Sequence, residues 1–194
     1  MSVLIFAELA DGTLKKNSQE AIFYGAQVAS QTGGSATVLA IGEAGEAELA
    51  KAGNFGAAKV LYVKKEENIM AYAKVVTEVV KSTGATVVVA ARSALADAVL
   101  ARAAGALKAG FAGNVTALPD TSAGFTVTRS IFSGKAFART SITSDIKILA
   151  IKKNVIDVTA GQDTAPVESL TFDTSAEDGS AKVLSVEKAT GAVS

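Results

Sequence analysis

The side chains in this sequence that could do chemistry are carboxylates, amines and hydroxyls, because it contains neither His nor Cys. Without Cys there are no disulfides, thiolate zinc sites, iron–sulfur ligands or thiol nucleophiles. Without His the usual general base near pH 7 and the usual nitrogen ligand for transition metals are gone, and Ser–His–Asp catalysis with them. An enzyme made from what remains would depend on carboxylate, Lys or Ser–Lys chemistry.

Several groupings can be weighed on those terms. Gly42-Glu43-Ala44-Gly45 follows an expected strand and opens an expected helix, where a phosphate-cradling loop sits. It lacks the third glycine of the dinucleotide fingerprint, and Glu43 and Glu46 would repel a pyrophosphate, so an ordinary turn is the better reading. Ser133-Gly134-Lys135 invites comparison with the end of a P-loop. Arg129, however, stands where the first glycine belongs, no Ser or Thr follows Lys135, and a hairpin turn fits the flanks. Arg92-Ser93 ends the fourth strand, near where open parallel sheets place ligands, and reads as a helix cap beside a solvated Arg. Arg102 lies in an Ala-rich helix, where it either snorkels along apolar surface or meets a partner carboxylate. Glu8 and Asp11 close the first strand together and read as a solvated loop. None of these makes an active site, and no catalytic, cofactor-binding or metal-ligating residue is assigned.

The elements that must position these residues alternate strand and helix through the first 110 positions. Val3 to Glu8, Thr37 to Ile41, Lys59 to Val63 and Thr86 to Ala91 are apolar runs suited to strands buried on both faces. Between them lie three helices. The first has Asn17 and Glu20 at capping-box spacing, directs Ala21, Ile22, Ala26, Val28 and Ala29 to the core, and stops at Gly33-Gly34. A short helix covers Glu46 to Asn54. The third is capped by Asn68, carries Tyr72, Val75, Val76, Val79 and Val80 on one face, and ends at Gly84. Ser93 caps a fourth helix running to Ala109, with Asp97 in its first turn. Such alternation predicts right-handed crossovers and a mainly parallel sheet, hence a three-layer α/β sandwich of Rossmann-like type.

After Gly110 the pattern changes. Val115 to Leu118, Phe125 to Ile131, Ala136 to Ile142 and Lys147 to Ile151 read as strands joined by short turns, which favours antiparallel pairing. The domain is placed at 1–153. Residues 154–194 read as a polar arm or edge addition with two strands, Val167 to Phe172 and Lys182 to Val186.

The 194 residues are 49% hydrophobic and 20% charged, with nineteen Lys and Arg against nineteen Asp and Glu. That balance gives no overall electrostatic footprint for nucleic acid or an anionic membrane. Three Tyr and no Trp leave few platforms for stacking bases. No apolar run reaches the roughly 18–20 residues needed to span a bilayer. Met1-Ser2 leads straight into Val3 without the features of a signal peptide, and a cytoplasmic location is expected.

Several stretches, in order, resemble the N-terminal domain of electron transfer flavoprotein alpha subunits. Val3-Leu4-Ile5-Phe6-Ala7-Glu8, then Asp11-Gly12-Thr13-Leu14-Lys15, is similar to the family's first strand and loop, with Leu9 where the family often has His. Lys59 to Val63, Thr86 to Ala91 and Arg102-Ala103-Ala104 resemble later strands and a helix. The strongest likeness is Thr128-Arg129-Ser130-Ile131-Phe132-Ser133-Gly134-Lys135-Ala136, followed by Ile148 to Lys152. The resemblance implies a domain that packs on the beta subunit and supports a flavin domain holding FAD, with AMP where present in the beta subunit. It implies an electron carrier rather than an enzyme, serving acyl-CoA or other flavin dehydrogenases and a quinone-side acceptor. The flavin domain's Gly-Arg-Gly and Gly-Ile-Ser-Gly…Gln-His segments do not occur here, so no cofactor residue is carried over and no FAD is expected on this chain alone. The chain is expected to be an excised domain or a truncated piece of a longer subunit. The Ala-rich helix 94–109, the strands around Phe132 and Phe137, and an arm over Lys182–Lys188 are the surfaces expected to meet the beta subunit. The alternative is a stand-alone adenine-nucleotide-binding module of the universal-stress type.

Overall fold

The computed structural model describes residues 1–179 together with 184 and 185. The strand expected over 182–186 and the arm over 182–188 lie outside the described residues, apart from Leu184 and Ser185. The chain runs β1 (Val3–Ala10), β2 (Thr13–Leu14), α1 (Lys16–Gln31), β3 (Ala36–Ile41), α2 (Glu46–Ala50), a 3-10 turn (Lys51–Phe55), β4 (Lys59–Val63), α3 (Ile69–Thr83), β5 (Val87–Ala91) and α4 (Ala94–Leu107). Then follow β6 (Gly110–Val115), β7 (Thr126–Ile131), β8 (Ala136–Ser141), β9 (Lys147–Ile151), β10 (Val167–Ser169) and α5 (Ser175–Asp178).

The strands form one sheet in the order β10-β4-β3-β1-β5-β9-β6-β7-β8, with β2 paired to β1. From β10 to β6 every neighbouring pair is parallel, whereas β6–β7 and β7–β8 are antiparallel. The apolar runs are continuous because each strand serves two cores. Val3, Ile5 and Ala7 face the side covered by α1, while Leu4 and Phe6 face the side covered by α3 and α4. Val87 and Val89 alternate with Val88 and Ala90 in the same way. This is the expected three-layer α/β sandwich, mainly parallel with antiparallel strands in its second half.

Asn68 and Ser93 cap α3 and α4 as their chemistry predicts. The Asn68 Oδ1 accepts from the Met70 and Ala71 N–H groups at 2.9 and 3.1 Å, and Ser93 Oγ accepts from the Ala96 N–H at 2.9 Å. The expected cap of α1 is not formed. Lys15 holds that position without capping the helix through its side chain, and Asn17 lies inside the helix. Glu20 is drawn elsewhere: its carboxylate is buried and accepts from the N–H groups of Asn154, Val155 and Ile156 at 3.1, 2.6 and 3.4 Å.

Two expectations for the second half need correction. The strand placed at Val115 to Leu118 is instead β6, and β9 is not an antiparallel neighbour of β8. It enters between β5 and β6, parallel to both, with Leu149 opposite Val89 and Ala112. The short loop before β9 permits this because the β7–β8 hairpin does not extend the ladder in register. It meets β6 at a single pair, Val115 with Arg129. Ile142, just past β8, lies against Gly110 at the start of β6, where an added Cβ would sit 2.5 Å from Ile142 Cγ2. The chain leaving β8 is therefore already beside the entry to β9. The tail contributes β10 as a parallel edge strand on β4, with Glu168 opposite Leu61.

Candidate functional site at the sheet's switch point

Strands β3 and β4 are laid down on one side of β1, and β5 on the other. The chain therefore reverses direction across the sheet between β1 and β5, and the crevice outside the carboxyl ends of those strands is where open α/β sheets bind ligands. Here it is a recess of about 380 Å³ whose lining includes Glu8, Lys15, Glu67, Ile69 and Ser93.

Its floor is Glu8, and the solvated-loop expectation for that residue does not hold. Glu8 is 5% exposed, with Lys15 Nζ 2.6 Å from Oε2 and Ser93 Oγ hydrogen-bonded to Oε1. The Glu8 N–H donates to Ser18 Oγ at 2.8 Å, and its carbonyl accepts from the Lys15 N–H at 3.1 Å. One residue thus joins the end of β1 to the first turns of α1 and α4. Helix N-termini offer unpaired N–H groups and a positive dipole end, the usual seat for a ligand phosphate. The negative charge at this seat belongs to the protein itself. Asp11 lies in an exposed turn at φ 50°.

Arg92 is exposed, as expected of a solvated Arg, and is also held on both sides. Its Nε lies 3.0 Å from Asp97 Oδ2, and its Nη1 donates to Asn114 Oδ1 at 2.8 Å. Asn114 sits at φ 57° where β6 slips register against β9, so an irregularity in one strand supplies the acceptor that fixes a residue ending another. Arg102 is exposed on α4 and makes no ion pair or hydrogen bond among the described residues.

The Gly42–Gly45 loop is closed by its own neighbour. Tyr62 Oη donates to the Gly42 carbonyl at 2.9 Å and accepts from the Ala44 N–H at 3.3 Å, which ties down two of the loop's polar groups in keeping with the turn reading. Glu43 pairs with Lys64 at 2.9 Å, and its hydrogen bond raises that amine above its ordinary value. Ser133-Gly134-Lys135 is the hairpin tip between β7 and β8. Phe132, Ser133 and Gly134 are left-handed at φ 48°, 54° and 90°, and the Lys135 N–H closes onto the Phe132 carbonyl at 3.1 Å.

Two further groups escape sequence reasoning. Tyr24 is fully buried in α1, and its hydroxyl donates to the Ala117 carbonyl at 2.8 Å; burial pushes its acidity well out of the ordinary tyrosine range. Glu20 is the other. In both cases the sequence shows an amphipathic helix, and nothing local reveals that a distant loop lacks partners for its backbone. No described helix is long and apolar enough to cross a membrane.

A family model described as the electron transfer flavoprotein domain matches residues 3–175. No curated protein matches the chain in a sequence search.

Proposed function

This chain belongs to the electron transfer flavoprotein domain family, and from that membership we propose that it is the N-terminal domain of an alpha-type subunit. In this reading it packs on a beta subunit and supports a flavin domain in the full-length chain. FAD held there carries electrons from acyl-CoA or other flavin dehydrogenases to a quinone-side acceptor in the cytoplasm. The domain itself binds no flavin and catalyses no reaction; its work is to hold the heterodimer together.

The observation that carries the reading is the family match over 3–175. The segment Thr128–Ala136, the strongest point of resemblance to alpha subunits, forms a hairpin that leaves Phe132 and Phe137 at the surface. The switch-point crevice argues against the adenine-nucleotide alternative. A nucleotide phosphate seated at α4 would have to displace Ser93 from the Glu8 carboxylate and compete with that carboxylate for Lys15.

A thermal-shift series with AMP, ATP and FAD, run beside light scattering of the chain with its family's beta subunit, tests this. The expected outcome is an unchanged Tm with all three ligands and a one-to-one complex with the beta subunit. A ligand that binds only the folded state raises Tm by mass action. A rise of several degrees with AMP or ATP, and no complex, would move the chain to the nucleotide-binding alternative.

A further inference from the structure

The overall charge balance conceals a segregation. Residues 101–153 hold eight Lys and Arg against two Asp, a net +6, which the rest of the chain offsets with −6. Pairing is segregated too. Of the eight lysines before residue 100, seven are ion-paired: Lys15, Lys51, Lys59, Lys64, Lys65, Lys74 and Lys81. None of the five lysines within 101–153 forms an ion pair among the described residues.

Part of this unpaired charge gathers at one place. Lys152 follows β9, and its N–H donates to the carbonyl of Val115, whose strand partner is Arg129. Lys152 Nζ lies 4.0 Å from where a Cβ on Gly134 would stand, which brings it against the hairpin tip beside Lys135. Lys153 is next in the chain and exposed. The same hairpin carries two aromatic rings with little cover: Phe132 is 77% exposed at the tip and Phe137 is 67% exposed on β8. β8 also ends the sheet, with β7 on one side and no strand on the other among the described residues.

We propose that the tip of the β7–β8 hairpin is an electropositive docking surface for an unlike protein, whose matching face offers apolar pockets for Phe132 and Phe137 and a carboxylate rim for Lys135, Lys152 and Lys153. The proposal rests on the reading of this chain as one subunit of a heterodimer and names the chemistry of the partner's face. Exposed aromatics ringed by charge are the anchor-and-rim arrangement of protein interfaces. Uncompensated cations of one sign steer a partner of the other sign and fix its register. A second copy of this chain is the rival occupant, because exposed Glu46, Glu66 and Glu67 make no ion pair among the described residues, and self-association is therefore scored in the test. Two rings and a compact cluster lack the extended stacking groove of a single-strand binder.

The test is the affinity of this chain for the family's beta subunit, measured at 50 and 500 mM salt for three proteins. These are the unaltered chain, the pair Lys135→Glu with Lys152→Glu, and the pair Phe132→Ala with Phe137→Ala. All four positions are exposed, and an unchanged circular dichroism spectrum confirms that each variant is folded. Binding by the unaltered chain should weaken with salt. Charge reversal should lower affinity at least about tenfold at 50 mM and flatten the salt dependence, and loss of the rings should lower it about ten- to a hundredfold at either salt. If the unaltered chain binds and both variants bind equally well, the docking surface lies elsewhere and the heterodimer reading stands. If the unaltered chain does not bind, both fail together. Patch-dependent self-association, or patch-dependent binding to phosphatidylserine vesicles or duplex DNA in place of the beta subunit, overturns the assignment of the occupant.

Discussion

Residues 3–91 and residues 110–151 share one sheet but dispose of their side chains in opposite ways. In the first region β1, β3 and β5 are covered on both faces, Asn68 caps α3, and almost every lysine has a carboxylate of its own. In the second, β9 is as buried as anything in the core, but the hairpin beside it carries exposed rings and unpaired cations. The first region has its apolar faces and nearly all its lysines satisfied within the described chain. The hairpin has chemistry that nothing in the described chain uses. Burial and unused surface chemistry are thus divided between strands of a single sheet.

The widest separation should appear in stability. Ile5 is fully buried in the α1-side core, and an added Cβ on Gly25 would fall 2.5 Å from its Cγ1, so the site has little room to rearrange. Ile5→Ala should cost about 2–5 kcal/mol in urea unfolding, whereas Phe137→Ala should change stability by no more than about 0.5 kcal/mol. Equal losses would mean that the hairpin is a folding element as much as the core is, and the contrast would break.

Glu20 sharpens the comparison, since it ties the first region to the segment that follows the second. Glu20→Gln keeps the shape but removes the charge that serves three backbone donors. A loss of about 1–3 kcal/mol is expected, with faster hydrogen exchange at residues 154–156 and unchanged exchange in the hairpin. Unaltered exchange at 154–156 would show that water serves those donors as well.

The smallest effect concerns a surface carboxylate of the second region. Asp120 is held below the ordinary carboxylate range, first by hydrogen bonds from the Ser122 side chain and backbone and then by Arg139. A depressed group stabilises the fold above its unfolded pKa, and that contribution fades as pH falls through its folded pKa. NMR titration should find the Asp120 midpoint below that of a free Asp. Ser122→Ala should move it up more than Arg139→Gln does, and the reverse order would reassign the cause.

The sequence makes the parallel half of the fold plain because periodicity and caps are local signals. Asn68, Ser93, the Val87–Ala91 strand and the Gly84 stop act through neighbours within a few positions. The insertion of β9 was hidden because the choice between β8 and the gap beside β5 depends on how far the hairpin swings, which no residue in Lys147–Ile151 encodes. The candidate site was half legible. Its place at the carboxyl ends of β1 and β5 follows from strand order, and Ser93 as a cap follows from its type. That Glu8 is the buried anion between two helix starts needed Lys15 and Ser93 brought to it, eighty-five positions apart in the case of Ser93.

The position of β9 also has a meaning in time. Until residue 147 has been made, the edges of β5 and β6 face each other across an empty lane one strand wide, because no earlier segment pairs with either there. A chain leaving the ribosome in order can form its βα units early but cannot close the sheet. The pairings that close it span long sequence separations, and their loop entropy must be met before any contact repays it. Pulse-labelled hydrogen exchange during refolding should therefore find β1 and β3 protected first, with β5, β6 and β9 gaining protection together in a later step. Protection of β6 before β9 would show instead that the lane is bridged by pairings absent from the native sheet.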